Sequence, residues 1–278
     1  MRIPKDRAIL CLRLLLEGNS IRSVERITDT HRDTIMRLAV LIGERCQRFL
    51  EETIKDVPVE EVQADEIWDF VGCKRKIQQR RGYGDEFGDA FCFTAIERHT
   101  KLLLAWHLGK RTEENTHQFA AKLSRATSGR FHLTTDGYKP YRNAMWGALR
   151  TRIDFAQLLK IYGKVKGNAA AVRYSPGNII STKVYPVAGC PDEAKVCTSH
   201  AERHNLTIRT QVRRMTRLTN AYSKKWENHE AALALFFAYY NYCRVHSTIK
   251  KTPAVAAGLT DHPWGVEELL DTMAATLF

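Results

Sequence analysis

Two acidic residues lie in sequence that otherwise favours buried β-strands. Asp65 lies within VQADEIWDFVG, a run rich in β-forming residues, and Asp136 directly follows RFHLTT. A carboxylate buried in such a strand costs several kcal/mol unless it pairs with a cation or binds a metal ion. A salt bridge or an edge position would explain one strand aspartate, but two at comparable positions favour a shared site. We therefore predict that Asp65 and Asp136 bind metal together.

A third acid lies in a strongly basic helix. The helical period of SHAERHNLTIRTQVRRMTRL places Glu202, Asn205 and Arg209 on one polar face. An exposed surface glutamate is the ordinary interpretation, but Glu202 is the only acid in this stretch. Three further arginines join Asn205 and Arg209 as expected phosphate contacts: Arg213, Arg214 and Arg217. Three nearby acids are weaker candidates, because a turn or a helix start already accounts for them: Asp192, Glu193 and Glu227.

Three carboxylates suit a hard divalent cation. Asp65, Asp136 and Glu202 would hold two Mg²⁺ ions about 3.5 to 4 Å apart, and Mn²⁺ can substitute, because oxygen ligands match these ions. Two such ions stabilise the attacking and leaving oxygens of an in-line phosphoryl displacement. The chain has no glycine-rich nucleotide loop followed by Lys and Ser or Thr. An ATP-driven function therefore has no support.

Zinc is a weaker alternative. Cys190, Cys197, His200 and His204 are zinc-ligand types, but six residues separate the two cysteines, which is more than the usual two to four. The chain has seven cysteines, an odd number, and they are irregularly spaced. We therefore expect reduced thiols and a cytoplasmic location. No apolar run reaches the roughly 18 residues of a membrane span, so no membrane partner is expected.

The order of elements determines where the acids lie. From residue 62, three strand-like runs predict an antiparallel meander, and a helix, a strand and further alternating elements follow. This order is that of an α/β, ribonuclease H-like mixed five-stranded sheet flanked by helices. It places Asp65 inside the first strand and Asp136 at the end of the fourth, on adjacent central strands.

Residues 1–57 predict an all-α helix-turn-helix domain before this sheet. Three amphipathic segments are separated by Gly18-Asn19 and by a TDT turn, with Thr30 as the expected cap of the third helix. The start of that helix would enter the DNA major groove and direct four side chains at bases or phosphates: His31, Arg32, Thr34 and Arg37. A plain helical interaction bundle is the alternative.

Net charge is +12 and unevenly distributed, with +2 over residues 1–57, +7 over 58–198, +7 over 199–251 and −4 over 252–278. Such an excess favours a polyanion through counterion release, so double-stranded DNA is the leading partner, against a generically basic protein. We assign 58–251 as the catalytic domain, with a basic loop or hairpin insertion at about 163–198, and 252–278 as an acidic tail. Three cations of the insertion would contact DNA or lie in a solvated loop: Lys164, Lys166 and Arg173.

Three segments together resemble a known family. DEIWDFVGCK, TTDGYKPY and AERHNLTIRTQVRRMTRLTNAYSKK resemble the insertion-sequence-one family of DDE transposases, over about residues 62–250. ERHNLTIR is the most specific part of the resemblance. RVHSTIKKTPAVAAGL also resembles the segment that follows the core of many integrase-type transposases.

The resemblance implies a set of functional properties. The family's acidic triad falls on Asp65, Asp136 and Glu202, and the expected reaction is Mg²⁺-dependent cleavage at transposon ends followed by joining of the 3′-OH to target DNA. The family acts as an oligomer, so we expect at least a dimer on DNA, in a nucleoid-associated prokaryotic setting. Its cysteine-rich zinc module has no counterpart in this sequence. End recognition is therefore expected from residues 1–57 or from basic surfaces of the core.

Two other functions use the same elements differently. A structure-specific nuclease would share the fold and the acids without strand transfer. A helix-turn-helix regulator with an inactive core would bind DNA without any chemistry. The complete acid set disfavours the regulator, and the segment around Glu202 disfavours the nuclease.

The helix-turn-helix interpretation has a direct test. Replacement of Arg32 and Arg37 by Ala should weaken binding to transposon-end DNA and reduce its salt dependence, because both cations start the expected recognition helix. Electrophoretic mobility shifts at several salt concentrations measure this, and circular dichroism checks that the core remains folded. Unchanged end binding and unchanged salt dependence would make residues 1–57 an interaction module.

Overall fold

The computed structural model describes residues 3–163, 177–217 and 219–275. Three helices form the amino-terminal part of the described chain. They are α1 (Lys5–Leu16), α2 (Ile21–Thr28) and α3 (Arg32–Thr53). Apolar positions at helical spacing are buried, among them Leu12, Val24 and Ile35. The three predicted helices are confirmed, whereas their DNA-reading function stays a prediction.

The turns between these helices show how α2 and α3 begin. The Ser20 Oγ caps α2 by accepting a hydrogen bond from the Ser23 amide at 3.1 Å. At the start of α3, the His31 Nδ1 accepts from the Asp33 amide at 3.3 Å. The expected cap Thr30 is wrong, because its hydroxyl donates to the Thr28 carbonyl of the preceding turn at 3.3 Å.

A six-stranded mixed sheet lies at the centre of the remaining chain. The strands are β1 (Val57–Pro58), β2 (Glu61–Val71), β3 (Gly88–Glu97), β4 (Leu103–Gly109), β5 (Thr127–Ser128), β6 (Phe131–Thr135), β7 (Ile153–Tyr162) and β8 (Ile179–Ala188). The order in the sheet is β4-β3-β2-β6-β7-β8, and β1 and β5 form a separate short parallel pair. Within the sheet β2, β6 and β7 are mutually parallel, and the other pairings are antiparallel. This topology is consistent with the ribonuclease H-like plan, and the predicted adjacency of β2 and β6 is confirmed.

The predicted number of five strands is wrong. The sixth strand, β8, lies inside the segment assigned as a basic insertion at about 163–198, and it pairs antiparallel with β7. This pairing agrees with the hairpin alternative for the segment. β8 was left out of the predicted sheet because most of its side chains are exposed, including Ile179 and Ile180 at 50% and 68%. Without a buried face it lacks the apolar–polar alternation that identifies a half-buried strand.

Helices cover both faces of the sheet. The helices after α3 are α4 (Arg75–Arg81), α5 (Glu113–Ala126), α6 (Pro140–Leu149), α7 (Ser199–Gln211), α8 (Trp226–Ala238), α9 (Pro253–Ala256) and α10 (Val266–Ala275). On one face Phe93 of β3 packs on Phe119 of α5 and Tyr141 of α6. On the other face Gln63 of β2 accepts hydrogen bonds from the first turn of α7, at 2.9 and 3.1 Å. None of the described helices is both long and apolar enough to cross a membrane.

The amino-terminal helices pack directly on the rest of the chain. α3 crosses α8 so closely that a Cβ at Gly43 would lie 2.2 Å from the carbonyl oxygen of Ala231. The acidic segment 252–278 also contacts these helices, since Lys5 pairs with Glu267 at 3.0 Å and with Asp271 at 2.8 Å. The boundary at residue 57 stays a prediction, because one continuous apolar core runs through both parts.

The α3–α8 crossing generates a stability prediction. Gly43→Ala should lower the free energy of unfolding by about 1 to 3 kcal/mol, because the new methyl group meets backbone that cannot rotate away. At this chain length that corresponds to a fall of roughly 2 to 4 °C in melting temperature per kcal/mol.

A second helical glycine supplies the control. Gly147 of α6 is exposed and a Cβ there meets nothing within 4 Å. Gly147→Ala should therefore be neutral or stabilising by up to about 1 kcal/mol, through helix propensity. Calorimetric melting of both variants measures the difference, and equal melting temperatures would contradict the close-crossing explanation.

Candidate active site

The two strand aspartates lie side by side in the structure. β2 and β6 are parallel with Ala64 opposite Thr135, so the next residue of each chain segment is Asp65 and Asp136. Carboxylate oxygens of Asp65, Asp136 and Glu66 all lie within 4.8 Å of one another. Adjacent parallel strands thus bring together two acids that are 71 positions apart in sequence.

Glu66 is a member of this acidic cluster that sequence reasoning missed. Successive strand residues point to opposite faces, so Glu66 lies on the Phe93 face of the sheet and Asp65 on the α7 face. Its side chain is only 4% exposed, forms an ion pair with Arg111 and accepts a hydrogen bond from the Tyr141 hydroxyl at 2.9 Å. Burial, and then the negative charge of Asp136, raise the pKa of Glu66 to about 8. The sequence does contain a signal that identifies Glu66: it is a second acid, directly after Asp65, in an otherwise apolar strand.

Asp65 is held by its own strand and by α7. The Asn205 Nδ2 donates to its Oδ2 at 2.8 Å, and the Glu66 amide donates to its Oδ1 at 2.9 Å. Burial, and next the negative charge of Asp136, raise the pKa of Asp65 to about 7. Among the described residues the buried Oδ1 of Asn205 has no hydrogen-bond partner. Asn205 therefore holds the Asp65 carboxylate in place, whereas its expected phosphate contact stays a prediction.

Asp136 lies in a turn that β7 holds rigid. The Tyr138 amide donates to the Asp136 Oδ1 at 3.0 Å. The Gln157 Nε2 donates to the carbonyls of Asp136 and Tyr138 at 2.8 and 3.0 Å, and Arg142 fixes Gln157 in turn at 2.6 Å. Burial raises the pKa of Asp136. These contacts supply the fixed backbone that a metal ligand needs.

Glu202 lines the same cleft from α7 but stands apart from the tight cluster. Its side chain is 48% exposed, forms an ion pair with Lys160 of β7 and accepts from the Thr198 hydroxyl at 2.7 Å. Asp65, Asp136 and Glu202 share a cleft of about 740 Å³. The structure thus places all three predicted acids around one cavity, two of them close together and the third at its rim.

Three cations from separate elements line the cleft beside the acids: Arg111, Lys139 and Lys160. Arg111 stacks on the Tyr138 ring at 4.1 Å, which fixes its guanidinium near Asp136. The donor set is entirely oxygen, which fits Mg²⁺ or Mn²⁺ better than a softer metal. Phosphodiester chemistry uses two kinds of group: acids that hold a divalent metal ion, and basic side chains that bind the phosphate. This cleft contains both kinds.

The basic side chains predicted to contact phosphates fall into two groups. Arg209 donates to the carbonyls of Trp68 and Met215 at 2.8 and 3.1 Å, and Arg214 donates to the Ser223 hydroxyl at 3.1 Å. Both guanidinium groups support the fold, a role that the helical pattern did not reveal. Arg213 and Arg217 are exposed.

The remaining predicted contacts are on the amino-terminal helices or outside the described residues. His31, Arg32 and Arg37 are exposed at the start of α3, and Thr34 is half-buried. The structure does not describe three cations of the predicted insertion: Lys164, Lys166 and Arg173. Their DNA contacts stay predictions.

The residues considered for zinc have other surroundings. His204 packs against Phe237 and Tyr240, with ring centroids at 6.1 and 4.7 Å, and neither of its ring nitrogens has a hydrogen-bond partner in the described chain. Cys197 contacts the Ser199 hydroxyl at 3.0 Å. His204 is thus part of the apolar core beneath α7.

Comparisons with known proteins give only distant likenesses. No protein-family model matches the chain, and no curated protein matches it. Among solved structures, the chain is similar to a cryo-EM structure of a piggyBac transposase synaptic complex with hairpin DNA, at 9% identity, covering 98% of this chain and 70% of that chain, with a TM-score of 0.42. It is also similar to a crystal structure of the Mos1 strand transfer complex, at 12% identity, covering 98% and 80%, with a TM-score of 0.36.

The raised pKa values predict pH-dependent metal binding. A metal ion binds the deprotonated carboxylate. The metal affinity should therefore rise with pH until the carboxyl group is already ionised in the metal-free protein. Because the pKa of Asp65 is about 7, Mn²⁺ affinity should rise by up to about tenfold per pH unit for each displaced proton below pH 7, and should level off above pH 8.

Isothermal titration calorimetry between pH 5.5 and 8.5, in buffers of different ionisation enthalpy, counts the released protons. Asp154→Asn serves as the control, because Arg130 holds the pKa of that carboxyl at about 2, far below this range. An affinity independent of pH would show that the cluster carboxylates do not bind the ion.

Proposed function

We propose that the chain is a DNA transposase that binds transposon ends and catalyses metal-dependent cleavage and strand transfer through Asp65, Asp136 and Glu202. The proposal rests chiefly on one observation: two half-buried aspartates lie together where the parallel pairing of β2 and β6 ends, in a cleft that Glu202 also lines. The motifs around the three acids, which resemble the insertion-sequence-one family, support the same assignment.

Asp65 and Asp136 would hold the metal in this mechanism, and Glu202 would complete the ligand set. Two bound Mg²⁺ ions supply charge stabilisation for in-line displacement at phosphorus. Asn205 holds the Asp65 carboxylate in place, and the Gln157 contacts hold the turn of Asp136. Because the Glu202 side chain is half exposed, it can turn from Lys160 toward the other two acids.

The cations of the cleft would position the DNA backbone. Arg111 and Lys139 lie at the Asp136 side, and Lys160 lies beside Glu202. If Glu202 completed the ligand set, the Lys160 ammonium would lose its partner and would be available to a phosphate. The attraction between a positive group and the phosphate oxygens strengthens as negative charge develops on those oxygens.

DNA binding would combine these contacts with the long-range charge of the chain. A net charge of +12 attracts the duplex and releases counterions. Residues 1–57 would read the ends as a helix-turn-helix domain, and a dimer or larger oligomer would hold two ends and the target, as the resemblance implies. The setting would be the prokaryotic nucleoid.

Substitution of the acids tests the proposal. Asp65→Asn, Asp136→Asn and Glu202→Gln keep side-chain shape but remove charge, so each should lower Mg²⁺-dependent cleavage and strand joining by about 10³-fold or more while DNA binding persists. Labelled DNA carrying the flanking inverted repeats, with and without Mg²⁺, reports cleavage and joining separately.

Acids outside the cleft supply matched controls. Asp192→Asn, Glu193→Gln and Glu227→Gln remove the same charge from nearby sequence and should retain most activity. Full wild-type activity in metal-free buffer, or in Glu202→Gln, would overturn the mechanism. Cleavage with no strand joining in the wild-type protein would favour a structure-specific nuclease.

A further inference from the structure

The connection between β2 and β3 presents a basic helix that none of the contacts above uses. We call residues 74–81 the α4 arm, and it carries five cations in eight residues: Lys74, Arg75, Lys76, Arg80 and Arg81. All five are exposed. Within the described chain none lies in an ion pair with a carboxylate; Lys74 lies over the Trp68 and Phe70 rings at 5.8 and 5.7 Å, and Arg81 donates to the Tyr83 hydroxyl at 3.1 Å.

The α4 arm is held by its ends rather than by its own packing. None of the residues of α4 is fully buried, so apolar contacts contribute little to the helix, and Lys76 and Arg80 repel each other at i and i+4. Gly82 closes the helix in the left-handed region at φ 65°, and the Gln78 Nε2 donates to the Gly84 carbonyl at 2.9 Å. The fold therefore fixes a set of like charges in place without neutralising them.

The sheet places this arm at the active-site end of the molecule. β2 and β3 pair without interruption from Val62 opposite Glu97 to Val71 opposite Gly88. β6 ends at Thr135, so β2 continues six residues beyond Asp65 at the end of the sheet where Asp136 lies. At about 3.3 Å per residue, the arm begins roughly 20 Å beyond the carboxylates.

The arm is also joined to the basic segment that follows α7. The Gly72 amide donates to the Ser223 carbonyl at 2.7 Å, and the Trp226 Nε1 donates to the Glu86 carbonyl at 2.9 Å. Arg209 fixes the same region by its bond to the Trp68 carbonyl. The exposed Arg213 and Arg217 therefore belong to the same end of the molecule as the α4 arm.

We propose that the α4 arm binds the phosphate backbone of duplex DNA to one side of the cleaved bond. The proposal rests on the proposed function, since it takes the duplex to pass the carboxylates. At 3.4 Å per base pair, a span of roughly 20 to 30 Å places the contact about six to nine base pairs away. The core of a protein–protein interface is depleted of charged residues. A dense Lys/Arg cluster that pairs with no carboxylate in the described chain, at the same end of the sheet as the proposed active site, therefore favours nucleic acid over a protein partner.

The test removes two cations from the arm and two from the opposite end of the sheet. Lys76→Ala with Arg80→Ala alters the arm, and Lys55→Ala with Arg125→Ala is the matched control. Lys55 and Arg125 are exposed and lie just before the β1–β5 pair, which precedes β2 and β6, and so on the side of the sheet where these two strands begin and away from the carboxylates. Because all four side chains are exposed, both double variants should keep the wild-type melting temperature.

Fluorescence anisotropy with a 40-base-pair duplex of random sequence, over a series of NaCl concentrations, gives the readout. The slope of log affinity against log salt should fall in magnitude by about 2 for the arm variant, one counterion for each lost phosphate contact, and should stay at the wild-type value for the control. The arm variant should also bind the duplex more weakly than the control at every salt concentration.

The outcomes separate this inference from the proposed function. Suppose that the wild-type protein binds duplex DNA and cleaves it only when Asp65 is intact. An arm variant with wild-type affinity and slope would then overturn the inference about the α4 arm and leave the proposed function standing. No duplex binding by the wild-type protein would overturn both. Loss of binding to a single-stranded RNA of equal length, with duplex binding unchanged, would assign the arm to RNA and overturn the proposal.

Discussion

The rest of the structure depends on keeping two like charges together in a poorly solvated place. Asp65 and Asp136 lie on neighbouring strands, and Glu66 adds a third carboxylate within 4.8 Å. Such groups repel each other and lose hydration, so each one is destabilising unless a proton, a donor or a cation offsets it. Burial and the mutual repulsion are the reasons that the pKa values of Asp65 and Glu66 rise to about 7 and about 8.

Side chains on both faces of the sheet partly offset the cost of burying these carboxylates. On the α7 face, Asn205 donates to Asp65, and on the opposite face Arg111 pairs with Glu66 and the Tyr141 hydroxyl donates to it. Neither arrangement supplies a full counter-charge for Asp65 and Asp136. A divalent cation bound there, as proposed, would supply further positive charge beside these two carboxylates.

Much of this arrangement follows from residue patterns, and the exceptions have physical causes. Asp65 and Asp136 were predictable because a carboxylate in apolar strand sequence is costly, and the strand order brings those strands together. Glu66 escaped notice because its compensation comes from Arg111 and Tyr141, which are distant in sequence. The inward position of Arg209 depends on a carbonyl of β2, and periodicity alone carries no information on such a partner. β8 has no buried face, so its pattern resembles that of a loop.

The close crossing of α3 and α8 has a mechanical consequence. No side chain separates the two helices at Gly43, so the contact leaves little room for sliding or hinge motion. The start of α3 lies about 16 Å along its axis from that crossing, at 1.5 Å per residue. A stretch of duplex gripped by the first helices would thus sit at a set offset from the carboxylates. Rigid packing, and not a flexible linker, would then fix the distance between that stretch of duplex and the carboxylates.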